Sequence, residues 1–334
     1  MFKNSLIYLV LWFLIQLLIE VNCQSNTFKP SFRSLHTATY VDDKLYILGG
    51  QPDNGNLEKP GTQFFYLDVS VPFVNNQGLK WNDISNINII PGHVAATTAT
   101  NGINNTTFFL YGGSSSDGQM ATVYTFDTRN NKWSVALVNY NIHKDSLKGI
   151  VNNGKMYLFS GLINGVQTND MLIFDTINYI ISFGNLDNAP SPRRHYGAAL
   201  LDGQFIAYFG GEDFMQQLLM SEIYLYDTIN DNWTIRLATG KIPINRSGFS
   251  TVLGYTGTEK DPNSGLYVLN LTSYEWSIPN VSGNQPLVRT WHRANVIGKY
   301  MVVTFGRYNF ENLDTKINND VLLLDISDND EYKW

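Results

Sequence analysis

Four arginines each stand three residues ahead of an aromatic or imidazole ring: Arg33/His36, Arg193/Tyr196, Arg246/Phe249 and Arg289/His292. A guanidinium presents a planar fork of donors that fits a carboxylate, so this pairing suits capture of an acidic or extended peptide. The competing use is structural, because an arginine recurring at one position of a repeat can brace neighbouring units. Arg307 ends a related stretch, "VVTFGR". His93 and the Leu147–Lys148 region are read as filling the same slot where no arginine leads. On that reading His36, His93 and His292 hold one repeat position in separate units, with His195 one residue before such a position and His143 in a loop. Imidazoles scattered in this way do not form the cluster that copper requires, so no metal or cofactor is expected.

Other chemistry finds little support. Neither a GxSxG nucleophile elbow nor an HExxH helix occurs. Loop carboxylates are common (Asp53, Glu58, Asp117, Glu212, Asp213, Glu311), but a glycosidase needs two of them facing one substrate. The stretch "DISDNDE" lacks the glycine and terminal glutamate of a calcium loop. With 23 Lys+Arg against 29 Asp+Glu, the net charge of −6 argues against a nucleic-acid surface.

The elements that must position these residues recur. Short apolar runs end on glycine: "KLYILGG", "FFLYGG", "MYLFSG", "IAYFGG" and "VVTFGR". A second alternating run follows each time and closes on an acid or amide, at Asp68, Asp127, Asp175, Asp227, Asn270 and Asp325. A large aromatic comes next: Trp81, Trp133, Phe183, Trp233, Trp276 and Trp334. The unit returns at about 50 residues, a period that points to solenoids, propellers or arrays. Each unit reads as four short strands, because the apolar residues alternate and helix signals are nearly absent. One such sheet cannot bury both its faces. Sheets set radially can, with the aromatics as wedges between blades. The glycine pairs then serve geometry, where a chain without Cβ turns sharply and lets another backbone approach.

Arg-X-X-His, a strand ending in Gly-Gly, Tyr-X-X-Asp and then Trp resembles the kelch repeat, over roughly residues 28–334. The likeness is to secreted, Asn-rich kelch proteins of fungi, often labelled galactose-oxidase-like. It implies an all-β kelch-type β-propeller of about six four-stranded blades. Blade five is expected to be degenerate, with Gly254 to Gly265 as a loop where a strand and its Gly-Gly should be. Blade six is expected to be incomplete, stopping at Trp334 before its fourth strand, so that either the ring closes imperfectly or the chain is a truncated product, and stability is expected to be reduced. Galactose oxidase uses a cofactor made by linking a tyrosine to a cysteine. The one cysteine here is Cys23, in the N-terminal segment, so a chain cut after it cannot form that cofactor. A non-catalytic interaction module is therefore expected; the alternative is a carbohydrate-active or oxidase-like enzyme with a divergent site. The resemblance places peptide contacts on loops after Gly-Gly and before the Arg-X-X-His strand. Here these are Arg33, Arg193, Arg246, Arg289 and Arg307, with Tyr196, Phe249 and His292 beside them. The loop "EDFMQQLLM" adds Phe214, Met215 and Leu218. The expected partner is a protein or peptide, or else a glycan, and not a nucleic acid.

Lys3 precedes an apolar run from Ser5 to Ile19 that is ended by Glu20. The run is short of the roughly 20 residues of a membrane span and fits a secretory signal peptide, cut ahead of Gln24. The expected organisation is a signal peptide over 1–23 and a propeller over 24–334, secreted, without a later membrane span. An uncleaved N-terminal anchor is the alternative. Six Asn-X-Ser/Thr sequons, at Asn104, Asn105, Asn232, Asn245, Asn270 and Asn280, fit the secretory route.

Overall fold

The computed structural model describes residues 28–52, 61–70, 79–100, 106–115, 120–251, 254–255, 265–307 and 321–334. The signal-peptide reading, the sequons at Asn104 and Asn105, and the loop acids Asp53, Glu58, Asp117 and Glu311 lie outside these residues. Among the described residues no helix is long and apolar enough to cross a membrane.

The chain forms an all-β propeller of six blades. Blade one pairs Thr37–Val41, Lys44–Leu48, Phe64–Asp68 and Trp81–Asp83 in sequence order. Blade two uses Thr97–Thr100, Thr107–Tyr111, Val123–Asp127 and Lys132–Val135. Blade three uses Ile150–Asn152, Lys155–Phe159, Met171–Asp175 and Ile180–Phe183. Blade four uses Gly197–Leu201, Phe205–Phe209, Glu222–Asp227 and Asn232–Leu237. Beyond their first residue the second strands of blades one to four are buried on both faces, which is why they read as unbroken apolar runs.

Blade five is reduced, as its sequence suggests. Gly254–Tyr255 pairs with Leu266–Asn270, then Glu275–Ser277, and Thr239–Gly240 lies parallel on the outer edge. In blade six the fourth position is taken by the short strand Tyr332–Lys333, and Val281–Ser282 lies parallel against it. The segment leaving blade five thus supplies what the short tail lacks.

The expectation of imperfect closure does not hold. Six residues with positive φ, one ahead of each blade, form a cycle of backbone hydrogen bonds around the axis. Ala95 donates to Leu35 (2.9 Å), Ser146 to Ala95 (3.0 Å), His195 to Ser146 (2.9 Å), Gly248 to His195 (2.9 Å), Trp291 to Gly248 (2.8 Å) and Leu35 to Trp291 (3.1 Å). The last bond is as good as the others, so the first and sixth blades meet as any two neighbours do. A second set of bonds explains the glycine pairs. Gly50, Gly113, Gly161, Gly211 and Gly306 each donate to the next blade, at His93, Lys144, Arg193, Arg246 and Arg33. At Gly112 (φ +64°) a Cβ would fall 1.8 Å from the Lys144 carbonyl oxygen, so only glycine allows this approach.

Aromatic wedges fill the space between blades. Trp133 packs on Phe64 of blade one (5.3 Å between centroids), Trp233 on Phe159 (4.9 Å), and Trp276 on Phe209 (5.6 Å). Trp81 stacks on Phe305 of blade six at 5.9 Å, which seals the ring. Burying such a side chain contributes roughly 2–3 kcal/mol. The marker at Phe183 is not a wedge. Strand pairing sets Ile181 opposite Phe174 as Trp133 is set opposite Phe126, so Ile181 is buried and Phe183 is 53% exposed.

Candidate functional site at the channel mouth

Each blade's inner strand starts beside the hydrogen-bonded cycle, so the cycle marks one face of the wheel. The Gly-Gly loops and the Arg-X-X-His segments share that face. The turns closing the third strands lie on the other.

The positive-φ residues also fix the true alignment of the units. Two positions before them stand Arg33, His93, Lys144, Arg193, Arg246 and Arg289, and all six are buried. His93 therefore occupies the arginine position, not that of His36 and His292, and Lys144 does so in blade three. The ring position three residues on holds His36, Ala96, Leu147, Tyr196, Phe249 and His292.

The buried cations serve their own blades. Arg33 Nη1 donates to the Gly49 carbonyl at 3.0 Å, Arg193 Nη1 to Gly210 at 3.2 Å, and Arg289 Nη1 to Phe305 at 3.1 Å. The Nε atoms of Arg33, Arg193 and Arg246 donate to the carbonyls of Ser31, Ser191 and Ile244. Arg33, Arg193 and Arg246 also lie over Phe65, Tyr224 and Tyr267 at 4.6–5.1 Å. Lys144 is too short to copy these bonds and pairs with Asp170 at 2.6 Å instead. Burial pulls the Arg33 guanidinium down to about 9, so it stays charged at neutral pH.

The companion rings are internal too. Tyr196 donates to the Phe159 carbonyl, Phe249 packs on Phe209, and His36 Nε2 lies 2.9 Å from Thr304 Oγ1 of blade six. Burial, helped by Arg289 and Arg293, holds His292 at about 3. Of the residues singled out in the sequence, Arg33, Arg193, Arg246, Arg289, Tyr196, Phe249 and His292 are thus packed inside the wheel. Arg307 and Phe214 keep accessible surface. The Arg307 guanidinium lies 5.6 Å from the Trp291 ring, at the mouth. Phe214 is 56% exposed and rests under Arg194 at 4.9 Å, while Met215 beside it is 91% exposed. Arg194 is held by Glu212 at 3.1 Å, and Glu212 also accepts from Ser247 at 2.7 Å.

Sequence reasoning missed the cations that do face the channel. Two residues after the cycle, four units carry a small residue, Thr37, Thr97, Gly197 or Ser250. Blade three carries Lys148 there and blade six Arg293. These blades are three apart in either direction round the cycle, so the two side chains enter from opposite walls. Both line a cavity of about 280 Å³, together with His195, Trp291 and Asn295. No Asp or Glu lines this cavity among the described residues. Lys148 Nζ donates to the carbonyl and hydroxyl oxygens of Thr251. The Arg293 guanidinium has no hydrogen-bond or ion-pair partner among the described residues. Burial, and then the Arg293 charge, brings Lys148 down to about 7. Burial lowers Arg293 to about 10, so it remains a cation. Its charge also depresses His36, His195 and His292. Such a site can bind an anionic group and hold it by charge-assisted hydrogen bonds. No three His, Cys, Asp or Glu side chains come together to hold a metal ion among the described residues.

Comparison with known proteins is consistent with this architecture. Residues 35–256 match the family model described as the KLHDC2/KLHL20/DRC7 Kelch-repeats domain. Kelch domain-containing protein 3 of Rattus norvegicus is 33% identical over 157 residues, which is 41% of this chain and 40% of that protein. Acyl-CoA-binding domain-containing protein 4 of Arabidopsis thaliana is 25% identical over 90% of this chain and 46% of its own length. The match thus spans less than half of either relative. The solved structure described as "Structure of YjhT" superposes with a TM-score of 0.64 at 13% identity, covering 91% of this chain and 97% of that one, and shows likeness of fold alone.

Proposed function

We propose that this chain, which belongs to the kelch-repeat domain family, is a protein-interaction module that takes an extended acidic segment of a partner into the mouth of its channel. Kelch propellers generally bind proteins. One observation carries the finer reading. A guanidinium without a hydrogen-bond or ion-pair partner among the described residues faces a lysine across a cavity whose described lining holds no acid. A partly buried cation of this kind is costly to keep and gains most from an anionic ligand. Phe214 and Arg307 sit at the rim of the same face and would contact residues flanking the acidic group. The braced arginines would act only indirectly, by holding the loops in place.

The reading includes compartment and chemistry. The apolar run from Ser5 to Ile19 and the sequons support secretion, with residues 24–334 as the mature module and 1–23 removed. A chain cut after Cys23 holds no thiol for a tyrosine–cysteine cofactor, which supports a non-catalytic role. The test is selection of randomised phage-displayed peptides on the purified secreted chain. Enrichment of Asp and Glu is expected. Enrichment of basic or purely apolar sequences would overturn the reading.

A further inference from the structure

The turn after each blade's third strand is capped by the side chain that closes that strand. Asp68, Asp127, Asp175, Asp227, Asn270 and Asp325 each accept, through Oδ1, from the backbone N–H two residues on, at 2.8–3.0 Å. Four of the five acids also use their second oxygen. It accepts from Asn130, Asn178 and Asn230 in blades two to four, at 2.8–2.9 Å, and from Lys299 in blade six. Blade five departs twice from this pattern. It has asparagine in place of aspartate, and Ser273 where those three blades carry asparagine. Asn270 Oδ1 still caps the turn, accepting from Thr272 and Ser273. Asn270 is exposed, and its Nδ2 has no acceptor among the described residues. Thr272 completes a sequon at the same place.

The other described sequons differ. Asn280 Nδ2 donates to the Asp330 carbonyl at 3.1 Å. Asn245 Nδ2 faces the Gln217 carbonyl at 3.4 Å, its Ser247 hydroxyl is bound to Glu212, and both lie on the channel face. Asn232 is exposed but sits inside the strand ladder, opposite Asp227.

We propose that Asn270 carries an N-linked glycan, standing on the face opposite the channel mouth. The inference rests on the secretory reading given above. In the reaction the Asn270 amide nitrogen displaces the diphosphate from C1 of a lipid-diphospho-oligosaccharide. The N–C1 bond forms, the C1–O bond breaks, and the lipid diphosphate leaves with one amide proton lost. The cap is kept, because Oδ1 takes no part.

The experiment is secretion of the full chain from a eukaryotic host, followed by enzymatic deglycosylation in heavy-oxygen water and peptide mass mapping. Heavy-labelled aspartate at position 270 is expected. Asn270→Asp restores the residue the other blades use, so it should be secreted equally well and lack that one glycan. An unmodified Asn270 with glycan on Asn232 would overturn the inference alone. Absence of glycan from every sequon would overturn it through its secretory premise, leaving the channel reading untouched.

Discussion

Arg289 and Arg293 belong to the same blade and are the same residue type, yet they meet opposite conditions. Arg289 is 1% exposed and donates to the Phe305 carbonyl. Arg293 opens onto the channel with no intrachain partner among the described residues. A milder contrast separates Lys144, ion-paired with Asp170, from Lys148, which lines the cavity and meets only the neutral oxygens of Thr251. Position in the repeat, not residue type, separates the braced cations from those that open onto the channel. A cation in the slot shared by all six units finds acceptors supplied by the fold. Of the two cations that replace a small residue, Lys148 reaches only the neutral oxygens of Thr251, and Arg293 has no hydrogen-bond partner among the described residues.

The contrast breaks most readily at the braced tier. Arg33→Ala with Arg289→Ala leaves buried carbonyls without donors, and each change should cost about 3 kcal/mol. Urea unfolding checks this, and an unchanged midpoint would remove the bracing role. The buried imidazoles sharpen the same point. Burial holds His93 at about 4 and His292 at about 3, against an ordinary value of 6.5. Below 6.5 the unfolded chain takes up protons that the folded one refuses. Stability should therefore fall as pH drops from 6.5 towards 4, by up to about 1.4 kcal/mol per pH unit for each such histidine. A flat stability profile from pH 7 to about 4.5 would contradict this.

Smaller effects are expected in the channel and at its rim. Lys148, at about 7, loses its charge as pH rises through that value. An acidic peptide should bind up to about tenfold less tightly at pH 8 than at pH 6, and Lys148→Met should flatten the dependence. Titration calorimetry at the two pH values reads this directly. Phe214→Ser should change the unfolding free energy by less than about 0.5 kcal/mol and weaken binding only a few-fold.

Much of this was legible in the sequence. The glycine pairs, the strand-closing acids and the tryptophans gave the six-unit wheel, because each marks a backbone or packing need that recurs. Two errors came from matching residue types without strand register. His93 resembles His36 yet sits where Arg33 does. Phe183 is aromatic yet points outward, while Ile181 fills the wedge position. Blade six's outer edge could not be read from its own unit, since Val281–Ser282 comes from the segment before it. Lys148 and Arg293 were visible in principle. Aligning the units on their positive-φ residues exposes a column of small side chains broken by two cations. That column has no meaning until the closed ring makes it the wall of a channel.

The most direct test measures unfolding and peptide binding on the same Arg293→Gln protein. The glutamine stays polar and removes the charge. An unfolding midpoint within error of the parent, with acidic-peptide affinity reduced by about 1.5–3 kcal/mol, is the expected result. Undiminished affinity, or a loss of stability like that expected at Arg289, would contradict the division between braced and ligand-facing cations.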